Sequence, residues 1–175
     1  LLRQIDRLGR VRQFQYDNLG RNTAEIWYNN VQDADADQSR VGTISFAYDG
    51  AGQMVSVSDW AAQYSYTYDN LGRITQIAHT ITGLSPTVTF SHVYDAAGRR
   101  TRLMASLNGT RDFKNRYFYD NLGRVTYITQ TSQSGGNPVA TKWVSFSYDA
   151  AGQVIELTRY ADLAGTQLVA QSQYT

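Results

Sequence analysis

A six-residue phrase recurs along the chain and constrains its fold more than any other feature. The fullest copies read YDNLGR at 16–21, 68–73 and 119–124, and looser copies occupy 48–53 (YDGAGQ), 94–99 (YDAAGR) and 148–153 (YDAAGQ). A degenerate copy, IDRLGR, lies at 5–10. Motif tyrosines that lie 20 to 32 residues apart are typical of a repeat array, whose unit here has two strands and a variable connection.

Each copy has the composition of a tight turn. Asp is favoured at the first position of a type I turn, and a Gly at the fourth position supplies the left-handed conformation of a three-residue hairpin loop with a Gly bulge. We therefore predict that each copy is the tip of a β-hairpin. The residues given this structural role are Tyr16, Asp17, Gly20, Arg21, Tyr48, Asp49, Gly52, Tyr68, Asp69, Gly72, Arg73, Tyr94, Asp95, Gly98, Arg99, Tyr119, Asp120, Gly123, Arg124, Tyr148, Asp149 and Gly152.

The residues around the turns alternate as in β-strands. Before the fourth full-frame turn, Phe90, His92 and Tyr94 alternate with smaller residues, which predicts one aromatic face and one small, mostly polar face. After the turns, apolar residues fall three apart, as at Met54 and Val57, so we expect either a bulge or apolar side chains on both faces. Stacked hairpins would place the six motif tyrosines in a ladder, with their hydroxyls in water and the motif arginines near their rings.

Composition agrees with an all-β chain. Thirteen Tyr and fourteen Gly stand against two Pro, and the absence of Cys excludes disulfides and thiolate nucleophiles. A net charge of +1 does not suggest a general nucleic-acid binder, and no apolar run reaches the roughly 18 residues of a membrane span. We predict an antiparallel array of consecutive β-hairpins that forms a single curved or spiralling open sheet with little or no helix.

The whole chain, residues 1–175, is predicted to be one repeat array. Its last residues, SQYT, resemble the approach to a motif turn in QYSYTYD at 63–69, which predicts that the chain is a fragment of a longer protein. Neither end carries a Pro or dense charge to protect an edge strand, so edge-to-edge self-association is also expected.

The recurring motif resembles that of the YD-repeat family, also called RHS repeats, whose hallmark is a YDxxGR phrase repeated over long stretches. This family includes bacterial polymorphic toxins, the C components of insecticidal toxin complexes and the animal teneurins. The resemblance covers essentially the whole chain and implies a continuous β-sheet that winds into a hollow shell, which in the bacterial proteins encloses a toxic segment. The family's shell-closing region, with its DPxG signature and autoproteolytic aspartate, has no match here, and neither does a toxin domain.

Once the turn residues are set aside, few residues remain that could act in catalysis or bind a ligand. His79 and His92 have no recurring carboxylate or hydroxyl partner, so we interpret both as structural. Asp33, Asp35 and Asp37 are a candidate Ca²⁺ site, but the EF-hand positions that need Gly and Glu hold Gln38 and Ile44, so a solvated acidic loop is expected. Seven basic residues between Arg99 and Arg124 form a stretch that could attract an anionic polysaccharide, with a solvated face as the alternative.

The sequence therefore predicts a non-catalytic structural segment without cofactor. By resemblance it belongs in the wall of a secreted or cell-surface shell, with neighbouring repeats and an enclosed toxin as partners and no nucleic acid or membrane span. The alternative is a carbohydrate-binding or adhesion module that uses exposed aromatic side chains.

Overall fold

The computed structural model describes residues 2–174. The chain forms two compact units, divided in sequence between Thr87 and Val88. The first unit contains the strands β1 (Arg3–Ile5), β2 (Val11–Tyr16), β3 (Asn22–Tyr28), β4 (Gly42–Tyr48), β5 (Met54–Ser58), β6 (Ala62–Tyr68) and β7 (Ile74–Ile81), with helix α1 (Val31–Ala36) between β3 and β4. The second contains β8 (Val88–Tyr94), β9 (Arg100–Leu107), β10 (Thr110–Tyr119), β11 (Val125–Ser132), β12 (Lys142–Tyr148), β13 (Val154–Tyr160) and β14 (Leu168–Gln173).

Strands in each unit pair antiparallel with their neighbours in sequence order, from β1 to β7 and from β8 to β14. In the described part of the chain, β1 pairs with β2 alone and β14 with β13 alone, so the array of hairpins is open. The predicted all-β, antiparallel array is confirmed. Pairing between successive hairpins explains why this fold forms, because a lone two-stranded hairpin is marginal in water.

The predicted bulge is present after six of the seven motif turns. After the turn at 48–53, Tyr48 pairs with Met54, but the preceding Ala47 pairs with Ser56, so Val55 is the extra residue. The same one-residue shift follows the turns at 16–21, 68–73, 94–99, 119–124 and 148–153. Because the extra residue resets the alternation, Met54 and Val57 reach the same face.

The first hairpin has no such bulge. Ile5 pairs with Val11 and Gln4 with Arg12 without a shift, so Val11 and Phe14, three residues apart, point to opposite faces. Here the other predicted arrangement, with apolar side chains on both faces, holds. Val11 is buried in the small core of the first unit, together with Ala24, Ile26, Tyr28 and Ala34.

The expectation of an acidic loop between β3 and β4 is wrong, because residues 31–36 form helix α1. The Asn30 side chain caps this helix by accepting a hydrogen bond from the Asp33 N–H, and Asp37 ends it in the left-handed conformation with φ of 51°. Helix α1 contacts β2 and β3 and buries Ala34 in the core named above. Burial of one helix face against the sheet stabilises a segment that is too short to be helical alone.

Gly72→Ala is expected to destabilise the first unit by about 1 kcal/mol, whereas Asn70→Ala should be close to neutral. Gly72 has φ of +77°, and an added Cβ would also lie 3.0 Å from Nε2 of Gln53. Asn70, in contrast, is exposed at the tip of the turn. Chemical denaturation of both variants measures the difference, and equal midpoints would contradict the assigned Gly bulge.

Candidate functional site

Every motif turn is organised by its aspartate. In the turn at 16–21, Oδ1 of Asp17 accepts hydrogen bonds from the N–H groups of Leu19 and Arg21, both at 2.9 Å, and Oδ2 accepts from Nε of Arg21 at 2.7 Å. The Gly20 N–H donates to the Asp17 carbonyl at 3.0 Å, with φ of 76° at Gly20. Asp6, Asp69 and Asp120 hold their turns through the same set of contacts. The hydrogen bonds that hold each of these turns therefore come from residues of the motif itself.

These contacts lower the pKa of five motif aspartates, Asp6, Asp17, Asp69, Asp95 and Asp120. For Asp17, Asp95 and Asp120 the largest cause is the hydrogen bond from the backbone N–H of the motif arginine, and for Asp6 and Asp69 it is the arginine side chain. The arrangement favours the ionised carboxylate, which is suited to holding a turn and offers no proton donor near neutral pH.

A second set of contacts links four of the motifs to the motif before them. The Tyr48 hydroxyl donates to the carbonyl of Asn22, the residue immediately after the preceding motif, at 2.9 Å. Three further tyrosines donate to the residue at this same position: Tyr68 to Met54, Tyr119 to Arg100 and Tyr148 to Val125, at 2.6 to 2.7 Å. The hydroxyls of these four tyrosines, which were expected to reach water, each have a protein acceptor.

The motif arginine completes this link. The guanidinium of Arg21 lies 4.8 Å from the ring centroid of Tyr48, and its Nη1 donates to the Asp49 carbonyl at 3.2 Å. Arg124 contacts Tyr148 and the Asp149 carbonyl in the same way, and Arg99 lies 4.8 Å from the Tyr119 ring. We call this combination of tyrosine hydroxyl, carbonyl and stacked arginine the motif latch. It uses the aromatic ladder to join neighbouring hairpins.

The two histidines lie on strands among other rings. His79 lies within β7 and stacks on its cross-strand partner Tyr64 with centroids 4.1 Å apart. His92 lies in β8, where both ring nitrogens are buried and have no hydrogen-bond partner in residues 2–174. Burial lowers the pKa of His92, and the charge of Arg100 lowers it further. Among residues 2–174, neither ring has a hydrogen bond to a hydroxyl or a carboxylate.

The stability of the second unit is expected to decrease as the pH falls below about 6.5, the pKa of an unfolded histidine. Because the folded pKa of His92 is lower, the unfolded chain binds the extra proton first. The stabilising effect is thus complete above the unfolded pKa and is lost as the pH falls through the folded value. Urea midpoints at pH 8 and pH 5 measure the loss. His92→Phe should reduce it and His79→Phe should not, and parallel losses in all three proteins would contradict the assignment.

The three candidate calcium ligands make separate contacts. Asp35 pairs with Arg3 at 2.7 Å, and Asp33 accepts from the side chain of its helix cap, Asn30. Asp37 accepts from Arg40 and from the hydroxyl of the buried Tyr28, and these hydrogen bonds, with that of Arg40 the largest cause, lower its pKa to about 2. Within residues 2–174 no group of three or more His, Asp or Glu side chains is arranged to hold a metal ion. The acidic residues instead fasten helix α1 to its surroundings.

The basic residues between Arg99 and Arg124 are of two kinds, those whose side chains contact other residues and those whose side chains have no partner in the described part of the chain. Arg99 and Arg124 pair with their motif aspartates, and Arg100 lies over the ring of Tyr117, 4.6 Å from its centroid. Arg111 donates to the Ser134 carbonyl at 2.9 Å. The side chains of Arg102, Lys114 and Arg116 have no ion pair or hydrogen bond to another described residue.

Sequence reasoning missed a row of rings on the face opposite to the motif tyrosines. Phe118 stacks on Tyr127 with centroids 4.1 Å apart, and Trp143 stacks on Tyr160 at 4.9 Å. Tyr127 meets Trp143 edge to face at 6.0 Å, which makes the row continuous. The row follows from the strand register, which pairs Phe118 with Tyr127 and Trp143 with Tyr160. This register cannot be obtained from the alternation of apolar and polar residues alone.

The fold can be compared with known structures. No family model and no curated protein matches the chain. A crystal structure of TcdB2-TccC3-Cdc42 matches it with a TM-score of 0.74 at 18% sequence identity, over 100% of this chain and 9% of that chain. The chain has the fold of a YD-repeat array. The resemblance drawn from the motif is thus confirmed at the level of the fold.

The likeness is confined to that segment, because this chain spans 9% of the length of the TcdB2-TccC3 chain. A porin-like protein from Bacteroides uniformis matches with a TM-score of 0.38 at 13% identity, over 98% of this chain and 90% of that one, a score too low to carry an argument. No helix among the described residues has both the length and the apolar character to cross a bilayer.

Proposed function

We propose that the chain is a non-catalytic segment of the β-sheet wall of a YD-repeat shell, which encloses a toxin or effector polypeptide outside the producing cell. The observation that carries this proposal is the motif latch, which in each unit fastens hairpins to the preceding ones at the same backbone position. Such a linkage can be repeated along an array of any length, as a wall requires. The whole chain, 1–175, is proposed to be one such array within a longer protein.

The burial of the motif tyrosines favours a structural role in a wall over the alternative, carbohydrate binding through exposed aromatic side chains. Of the six motif tyrosines, only Tyr16 is exposed, at 41%, while the others are half-buried. Burial raises the pKa of the Tyr68 and Tyr119 phenols, as expected of rings covered by neighbouring strands. A carbohydrate would have to displace these contacts, so the rings are better explained as wall material.

The turn tips fit the same role. Leu8, Leu19, Leu71 and Leu122 are each about three quarters exposed, and the other motif turns carry Ala at this position. Because the side chain lies outside the wall, it can vary without altering the latch. The turn residues thus divide into those that close the loop, those that join hairpins and those that face outward.

Electron microscopy and limited proteolysis of the natural protein that contains this chain test the proposal. We expect a hollow particle in which a polypeptide beyond the repeats resists protease. Tyr119→Ala with Tyr148→Ala should break two latches and expose that polypeptide, whereas Leu122→Ala, at an exposed tip, should not. An extended fibre, or an interior polypeptide cleaved equally in all variants, would contradict the proposed wall.

A further inference from the structure

A groove of about 530 Å³ crosses the second unit near the end of the sheet that lies away from the motif turns. Its floor is apolar, because Ile128 of β11 pairs directly with Val144 of β12 and both side chains are half-buried. Val169 of the outer strand β14 is 64% exposed and lines the same groove. The groove spans five strands, from β10 to β14, or about 19 Å at the usual strand spacing. It is therefore an open, elongated apolar surface.

Two cations border this apolar floor. Arg159 pairs directly with Val144, and Lys142 lies two residues before Val144 in β12, so the three side chains project to the same face of the sheet. Lys142 and Arg159 are exposed, and their side chains have no ion pair or hydrogen bond to another residue in 2–174. Within the same range, no Asp or Glu lines the groove. The groove therefore carries uncompensated positive charge beside apolar surface.

Two amide side chains extend the polar border of the groove. Gln130 pairs directly with Lys142, and Asn115 pairs with Gln130 on the next strand. Both amides line the groove, and neither side chain has a hydrogen-bond partner among the described residues. Because directly opposed side chains on neighbouring strands lie about 5 Å apart, the Gln130 amide and the Lys142 ammonium can donate to the same anion. The border thus offers several donors to one anionic head group.

We propose that this groove binds an anionic amphiphile, a fatty acid or another alkyl carboxylate. The carboxylate is held through charge-assisted hydrogen bonds between Lys142 and Arg159, which lie diagonally across two neighbouring strands at about 7 to 8 Å. The alkyl chain lies on Ile128 and Val144. A neutral apolar ligand would leave the cations unpaired, and a polar ligand would leave its own donors unsatisfied on the apolar floor. None of these four residues belongs to the motif latch, so the site does not depend on the proposed wall function.

Calorimetric titration of the intact chain with alkyl carboxylates, below their micelle-forming concentrations, tests the site. Acetate, hexanoate and decanoate carry the same head group, so a rise in affinity along this series measures burial of the chain. The rise should reach up to about fourfold for each fully buried methylene. Decyl maltoside has the same tail as a decyl carboxylate but no charge, and it should bind at least about tenfold more weakly than decanoate, because it lacks the charge-assisted contacts.

Substitutions in the same unit separate the groove from general charge. Lys142→Gln and Arg159→Gln should each weaken decanoate binding about tenfold, the effect of losing a charge-assisted contact. Arg116 is also exposed but follows Asn115 in β10 and so projects to the opposite face, so Arg116→Gln should leave affinity unchanged. All three substituted side chains are exposed, and unchanged urea midpoints would confirm that the variants are folded.

The results that would overturn the proposal are distinct. They are failure of decanoate to bind, equal affinity for acetate and decanoate, equal affinity for decyl maltoside and decanoate, and equal weakening by all three substitutions. Vesicles of phosphatidylglycerol present an anionic head group and acyl chains within a bilayer. Binding to these vesicles without binding of free decanoate would indicate a membrane surface as the ligand, and would overturn the proposal as well.

Discussion

Gly165→Ala is expected to destabilise the second unit by about 2 to 4 kcal/mol. Gly165 has φ of +71°, and a Cβ at this position would lie 2.4 Å from Cζ3 of Trp143. The indole cannot easily retreat, because one side stacks on Tyr160 and an edge-to-face contact with Tyr127 holds it further. Urea denaturation followed by circular dichroism measures the loss.

Gly135→Ala is the matched control, because Gly135 has nearly the same φ, +73°, but no atom within 4 Å of the added Cβ. It should therefore cost about 1 kcal/mol, the backbone contribution alone. The difference between the two variants isolates the contact with Trp143. Equal losses would mean that the loop around Gly165 does not lie against the indole.

The recurrent elements of the fold could be predicted from sequence because their causes are local. Asp17 and Gly20 form a turn through atoms within five residues, so the phrase itself contains the information. The bulge could be predicted as one of two arrangements, since apolar residues such as Met54 and Val57 lie three apart in an otherwise alternating strand. Both inferences depend on spacing that the sequence displays directly.

The features that sequence reasoning missed depend on contacts between distant residues. Helix α1 has a capping residue in its sequence, Asn30, which accepts a hydrogen bond from the Asp33 N–H. The helix is stable because Ala34 packs in a core formed with residues of β2 and β3. The acceptor of the Tyr148 hydroxyl is the carbonyl of Val125, 23 residues earlier, which alternation does not specify. The row of rings from Phe118 to Tyr160 likewise requires the register of strands β10 to β13, in which a shift by one residue would move every side chain to the other face.

The chain is expected to associate in a concentration-dependent manner through its outer strands. Strand β14 pairs with β13 alone in the described part of the chain, which leaves a row of backbone N–H and C=O groups available. Leu168 and Val169 are 59% and 64% exposed, and no residue from 167 to 175 is charged. Pairing of β14 with β1 of another copy leaves a free edge at each end, so association can continue. Analytical ultracentrifugation should therefore detect species heavier than 19.6 kDa.

Charge placed on the edge should suppress this association. Val169→Lys with Gln171→Lys adds two lysines at exposed positions of β14, and an incoming strand would have to desolvate them or pair beside them. Ala51→Lys with Ala151→Lys adds the same charge at exposed turn tips and should leave association intact. If both pairs of substitutions gave monomers, the added net charge would explain the loss of association, and pairing through the β14 edge would not. If the original chain stayed monomeric at high concentration, its edges would be inaccessible to a second copy, and the open-edge argument would be wrong.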